Sequence, residues 1–348
     1  DKKKPLMKFI ENKIIIIIIS VLSIFVISSC SFNSNRTILA EQKIGDFSRI
    51  VLINSSSKPS FKFITALDVK SVSPKWSPNK NNFAFISIEN NKRTLWISND
   101  DGTKLEIANH NNRQIEKFEW APNSNEIAVE FKSVINEGNV FLYSLKLKTF
   151  LPITRSNKVA QLGSWSPDSN WIVYNIEDSV YLSNPKGVNE IFITKGNNPK
   201  WSPNGEYLIF SRLDNQLKSI WIYKNIDKVV ENTGKEINKE DYFGENIHDN
   251  LKVNILEYDW AFGGNKVLYT NDQENNKEIY IMDVKSKKIE RLTNNKVDEI
   301  NIVWSDRYRS ILFTSNAHNN SDIYQMNPDG SSQKIILNSK DNFNFLDW

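Results

Sequence analysis

The side chains that most often carry catalysis are sparse in this 348-residue sequence: three histidines, His110, His248 and His318, and one cysteine, Cys30. The histidines fall in separate loop-like segments, without the several closely placed His or Cys ligands that a zinc site needs. No G-x-S-x-G nucleophile elbow and no glycine-rich phosphate loop occurs in the sequence. A catalytic residue, a metal site and a cofactor are therefore not expected, and a non-enzymatic role is the favoured reading. A lone cysteine cannot build an internal disulfide framework.

What the sequence offers instead is chemistry of recognition. A tryptophan recurs along the chain, and the residues before it are Lys75, Glu119, Ser164, Lys200, Asp259, Val303 and Asp347. Six of these seven are polar and both signs of charge occur. Such a row forms either a hydrated channel with partly paired charges or a site for a small ligand or cation. A second candidate is Trp171 with Tyr207, two aromatics at a position that elsewhere holds Asn82, Glu126, Lys266 or Ser310. Neighbouring exposed aromatics can anchor a partner, although scattered surface aromatics often mean nothing. A third is the segment GKEINKEDYFGENIHD, residues 234 to 249, in which five acids surround Tyr242 and Phe243. Aromatic anchors inside a rim of steering charge are one layout of a protein-binding surface.

The elements that must position these residues begin after residue 29. From Met7 the chain runs through Lys8 and Lys13 into an apolar stretch, Ile14 to Ile27, and exits on Ser28 and Ser29. A charged start, an apolar middle and a small-residue exit make a secretory signal peptide. As a helix the stretch would span ~21 Å, too short for the ~30 Å hydrocarbon core of a bilayer. Residues 1 to 6 read as an upstream extension. Ile27-Ser28-Ser29-Cys30 resembles the lipobox of bacterial lipoproteins. That resemblance implies acylation of Cys30, cleavage before it and a tether over residues 30–35. It places the protein in the bacterial cell envelope, facing the periplasm, with Ser31 favouring the outer membrane. The alternative is an ordinary signal peptide with an incidental cysteine. Removing residues 1–29 leaves 39 basic against 39 acidic residues. A neutral chain gives no electrostatic reason to expect nucleic acid.

Residues 36–348 are repetitive. WSPN, WAPN, WSPD and WSPN begin at 76, 120, 165 and 201, looser copies WAFG and WSDR at 260 and 304, and Trp348 ends the chain. Three of the six intervals are 44 residues and one is 45. Seven residues after each tryptophan an apolar triplet starts, at Phe83, Ile127, Ile172, Leu208, Val267 and Ile311. An apolar-aromatic pair such as Leu95-Trp96, Ile279-Tyr280 or Ile323-Tyr324 follows, then turn residues and a short segment like IERLT. Short β-branched and aromatic runs between Pro, Asn, Asp and Gly turns make a four-stranded antiparallel meander. That unit at a period near 44 is a propeller blade, so the fold class is all-β. The tryptophan closes the innermost strand, a, and wedges between blades; Ser-Pro-Asn/Asp then makes the reversal into strand b.

At these residues the chain resembles the TolB-like, WD40-like propeller repeat, whose signature runs W-S-P-D-G, an apolar strand, then I-Y and a turn. The resemblance covers nearly all of residues 36–348. It implies a β-propeller and says little about activity; the family's namesake works at the bacterial envelope in protein–protein contacts, a role that is not itself carried over to this chain. No room is seen for the α/β domain of the family's namesake between Cys30 and the first strand.

RTILAEQKIGDFSRIVLIN (36–54) overlays RSILFTSNAHNNSDIYQMN (309–327) without a gap, setting Ile38 on Ile311 and Ile50 on Ile323. The N-terminus thus supplies strands b, c and d of a blade, and FNFLDW (343–348) its strand a. Seven blades are expected, with six as the alternative if the ends stay unpaired. KVVENT (228–233) reads as strand d of the fourth unit, which puts the 234–249 insertion in a d-to-a connection. The favoured function is a lipid-anchored, non-catalytic scaffold whose partner is an envelope protein or peptide. The alternative is a propeller binding a carbohydrate or other small ligand, with a hydrolase or lyase using the channel.

Overall fold

A computed structural model describes residues 37–55, 60–99, 104–106, 113–132, 138–154, 158–187, 190–214, 217–224, 226, 245–246, 254–273, 275–317, 321–338 and 342–348. Cys30, the three histidines, Tyr242 and Phe243 lie outside them. The described strands form seven four-stranded antiparallel sheets, each with strand a innermost. Blade 1 holds strands a to d at Lys70–Trp76, Asn82–Glu89, Lys92–Asn99 and Lys104–Glu106. Blade 2 follows with Ile115–Trp120, Glu126–Phe131, Val140–Ser144 and Thr149–Pro152. Blade 3 has Ala160–Trp165, Ile172–Ile176, Ser179–Ser183 and Glu190–Lys195, and blade 4 has Asn197–Trp201, Tyr207–Asp214, Leu217–Lys224 and Glu245–Asn246. Blade 5 comprises Ile255–Ala261, Lys266–Asn271, Glu278–Asp283 and Ile289–Arg291; blade 6 comprises Glu299–Ser305, Ser310–Ser315, Asp322–Met326 and Lys334–Leu337.

Blade 7 is stitched from both ends of this set, with strand a at Asn342–Asp347 and strands b, c and d at Thr37–Ile44, Phe47–Asn54 and Ser60–Phe63. The overlay of the two segments holds in register: Ile38 pairs with Ile53 as Ile311 pairs with Met326. Closing the ring gives strand b of blade 7 its inner partner, so that the edge of Thr37–Ile44 is covered by Asn342–Asp347.

Seven apolar clusters hold the ring together, one at each blade-to-blade interface, and each contains or touches one of the repeating tryptophans. Trp120 packs with Ala84, Ile86 and Leu95 of blade 1, Trp165 with Ala128 and Val140 of blade 2, and Trp201 with Val173 and Val180 of blade 3. Trp260, Trp304, Trp348 and Trp76 take the same place in the other four. The indole N–H groups of Trp120, Trp165 and Trp260 also donate across the interface, to the carbonyls of Lys75, Glu119 and Lys200 at 3.2, 3.1 and 3.2 Å. An aromatic of this size removes ~150–250 Å² from water when buried. Trp201 and Trp304 depart from the rule, donating to Gly205 O and Asp306 within their own turns.

The turn after the tryptophan works through its serine. Ser77, Ser166 and Ser202 each accept the N–H of the residue five positions on, at 3.1, 2.9 and 2.9 Å, and donate to Asn79, Asp168 and Asn204. The left-handed position of the turn falls on Gly205 and Gly264 in two copies, but on Lys80, Ser124 and Ser169 in three others. Glycine is thus favoured there and not required.

The structure corrects one strand. In blade 4, the described partner of strand c is Glu245–Asn246 (Trp221 opposite Asn246, Ile222 opposite Glu245), within the stretch read as the insertion; residues 228–233 lie outside the described set. The extra length between Lys224 and Glu245 is therefore a c-to-d connection. In an up-and-down meander that connection emerges at the same end as the turns after the tryptophans, opposite to the d-to-a side expected above.

Candidate functional site: the central channel and the turn face

Every strand a carries one residue more than the strand b beside it, a bulge repeated in all seven described a–b ladders. Bulges bend a strand and re-aim its side chains. Three of them contain a residue in the left-handed region, Ser73, Asn198 and Asn301. In blade 3 the place is held by Gly163, where a Cβ would stand 2.5 Å from the Pro199 carbonyl oxygen. The freed N–H groups are taken up by side chains of the preceding blade. Glu41 accepts from Ser73 at 3.2 Å, Glu130 from Leu162 at 2.7 Å, and Asn175 from Asn198 at 3.2 Å. Glu257 accepts from Asn301 and Ile302 at 3.4 Å each. Burial pushes the Glu41 and Glu130 carboxyls up, against the N–H donors that hold them down.

The polar residues before the tryptophans do meet around the channel, and they are partly paired. Lys75 Nζ lies 2.6 Å from Glu119, Lys200 Nζ 3.3 Å from Asp259, and Lys80 Nζ 3.5 Å from Asp347. Ser164 accepts the N–H of Trp201 at 2.7 Å. Although buried, the Glu119 carboxyl is held below its ordinary value by the ammonium groups of Lys75 and Lys117. Beside this ring opens a cavity of about 500 Å³, lined in part by Lys117, Lys200, Lys218, Tyr258 and Asp259. Lys117 and Lys218 were not legible as site residues. Lys117 lies three positions before its tryptophan, on the bulged stretch of strand a, and Lys218 comes from strand c of blade 4. Only the bulge and the length of the blade 4 hairpin bring them to the channel.

Trp171 and Tyr207 occupy equivalent places at the turn, and both are half-buried. Trp171 packs on the cluster that contains Trp201, and Tyr207 stacks on Trp260 with ring centroids 6.1 Å apart. Each therefore leans on the next blade's tryptophan while keeping an exposed edge. On the same face, Phe262 stacks on Trp304 at 4.2 Å, with Lys266 Nζ 5.1 Å and the Arg309 guanidinium 5.9 Å from its ring centroid. This group was missed because WAFG and WSDR read only as worn copies of the turn, whereas Phe262 has replaced the proline with an aromatic. The half-exposed aromatics thus follow one another through blades 3, 4, 5 and 6. The connection from Lys224 to Glu245 starts among them: Ile226 is buried in the Trp201 cluster and its N–H faces Glu206 O at 3.4 Å.

No family model matches the chain, and no curated protein matches it. Solved structures are similar in fold. TolB from Acinetobacter baumannii is 13% identical with a TM-score of 0.57 over 89% of this chain and 65% of that one. This chain thus spans less than two thirds of that TolB. The β-propeller domain of the Trilobed protease from Pyrococcus furiosus is 13% identical, TM-score 0.64, over 87% of this chain and 94% of that domain. Oligogalacturonate lyase in complex with manganese is 12% identical, TM-score 0.61, covering 80% and 82%. Enzymes and TolB proteins thus share this architecture, and at such identities the likeness is one of fold alone.

Proposed function

We propose that this protein is a lipid-anchored, non-catalytic β-propeller of the bacterial cell envelope that holds a protein or peptide partner against its turn face. The observation that supports it most is the position of Glu245–Asn246 as strand d of blade 4. A connection leaving strand c at Lys224 and returning at Glu245 would bring the acidic segment, with Tyr242 and Phe243, to the face where Trp171, Tyr207 and the Phe262–Trp304 stack keep exposed edges. Aromatics with a charged rim are the usual anchors of a protein interface. The TolB-like repeat and the lipobox ending at Cys30 support the envelope setting.

Two experiments test this reading. A photo-crosslinking residue placed at Lys224 or Asn204, on the turn face, should give adducts with a discrete envelope protein in cells. The same residue at Leu213, on the blade 4 b-to-c hairpin at the opposite end, should not. Adducts from Leu213 alone would overturn the choice of face. Tyr242→Ala with Phe243→Ala should weaken the captured complex by ~2 kcal/mol or more without lowering stability. For the anchor, Cys30→Ala should release the protein from the membrane fraction, and mass spectrometry should find acyl chains on Cys30 of the mature protein. An unmodified Cys30 would remove the lipid anchor from the proposal.

A further inference from the structure

The channel cavity has two unlike walls. Lys117 from blade 2 and Lys200 and Lys218 from blade 4 bring ammonium groups to one side. Leu256, Ile302, Val303 and Leu346, from blades 5, 6 and 7, add apolar lining, with Ile302 and Leu346 buried for the most part in the blade-to-blade clusters. Two acids line the same space, Glu257 and Asp259, and both are committed. Glu257 accepts the two bulge N–H groups of blade 6, while Asp259 accepts the Trp260 N–H at 2.8 Å and faces Lys200. Lys117 donates to the Leu162 carbonyl at 2.6 Å and Lys200 to the Tyr258 carbonyl at 2.9 Å, while the carboxylate nearest Lys117, Glu119 at 3.6 Å, already holds Lys75 at 2.6 Å. Lys218 makes no ion pair among the described residues; its Nζ stands 5.5 Å from the Tyr258 ring centroid. The cavity lining thus carries three ammonium groups against two carboxylates. Desolvation, with the Lys200 ammonium beside it, pushes both Lys117 and Lys218 below the usual lysine value, while the Lys117 side chain stays 45% exposed at the cavity. An anion entering the cavity would relieve that penalty, whereas a cation would add to it.

We propose that the cavity binds a small carboxylate carrying an apolar group, with Lys117, Lys200 and Lys218 taking the carboxylate and the Leu256–Ile302–Val303–Leu346 wall taking the tail. This chemistry is shared by the C-terminal residue of a peptide and by a free medium-chain fatty acid. The volume, about 500 Å³, lies within the ~300–1,000 Å³ of ordinary small-ligand pockets. The inference is independent of the partner on the turn face, because its residues are those of the channel.

Calorimetric titration of the full chain in detergent tests it, with N-acetyl-Ala-Ala-Leu as the free acid, the same peptide as its amide, and octanoate. The free acid should bind, and the amide should bind at least about tenfold more weakly. Lys117→Met and Lys218→Met should each weaken the acid by about tenfold, leave the amide unchanged and keep the melting temperature. Octanoate competing with the peptide acid supports the site and makes a free fatty acid sufficient. Octanoate failing while the peptide acid binds supports the site and assigns it to peptide ends. Equal affinity for acid and amide, or no binding of either up to ~10 mM, overturns the proposal. So does a folded Lys218→Met variant that binds the acid as wild type does. The acid–amide comparison needs no variant, and crosslinking from the turn face is unaffected by its outcome.

Discussion

The Asp347 carboxylate accepts a hydrogen bond from the backbone N–H of Trp76 at 2.8 Å, across 271 residues of sequence. Lys80 lies 3.5 Å from the other carboxylate oxygen and donates to the Trp348 carbonyl at 3.0 Å. These contacts seal blade 7 to blade 1 at the innermost strands. Asp347→Ala should cost ~1–2 kcal/mol by leaving the Trp76 N–H without its acceptor. Deleting residues 343–348 should cost more than ~3 kcal/mol, because Phe343, Leu346 and Trp348 are all buried. Urea denaturation followed by tryptophan fluorescence measures both. A deletion variant that melts like wild type would contradict a blade stitched from the two ends.

The indole of Trp120 does two things that can be separated. Its rings fill the interface between blades 1 and 2, and its N–H donates to Lys75 O. Trp120→Phe should lose the hydrogen bond and part of the volume, at ~1–3 kcal/mol. Trp120→Ala should leave a cavity as well and cost ~3–5 kcal/mol. Equal losses from the two, in denaturant titrations, would mean that the interface collapses around either substitution.

A buried threonine recurs after strand d. Thr65, Thr154 and Thr293 accept a buried backbone N–H near the start of strand c, from Ile50, Val140 and Ile279, at 2.9, 3.1 and 2.9 Å. Thr293→Val keeps the shape and strands the Ile279 N–H, so it should destabilise by ~1–3 kcal/mol. Thr149→Val, at an exposed position, should stay within about ±0.5 kcal/mol. A neutral Thr293→Val would show that water reaches the orphaned donor.

Glu299 should make stability fall as pH rises through the neutral range. Burial, with the Glu278 and Asp298 carboxylates nearby, pushes its carboxyl up to about 7, although Asn295 and Ser315 donate to it. Below pH ~4.5 the group is neutral in both the folded and unfolded chain, and its full contribution is present. Between there and about 7 the unfolded chain ionises first, so folding loses about 1–3 kcal/mol over that window. Glu299→Gln should abolish this slope and be the more stable protein at pH 8. The difference in unfolding free energy between variant and wild type, measured from pH 4 to 8, isolates this group; a flat difference would exclude it.

Much of the fold was legible because each blade repeats one local solution. The interval between tryptophans, the serine-led turn and the period-2 apolar triplets are short-range features, each fixed by backbone conformation and burial within a few residues. The closing blade was legible for the same reason, since residues 36–54 copy the spacing of residues 309–327. Blade 4 was misread where that logic ran out. Lys228–Thr233 has strand composition, but which segment pairs with Trp221 and Ile222 depends on hydrogen bonds across a long connection, and Glu245–Asn246 takes the place.

By itself, then, the sequence determined the blade, the number of copies, and the polar row before the tryptophans, because these follow from local spacing. The tertiary structure decided what that row does. A one-residue bulge in every strand a turns Lys117, Asn198, Glu257 and Asn301 toward the channel, and it is set by how each ladder pairs rather than by residue type. Whether Lys75 is paired or, among the described residues, Lys218 is not depends on neighbours drawn from other blades, 44 residues away in the case of Glu119. Charge balance in a channel is a sum over strands that meet only when the ring closes.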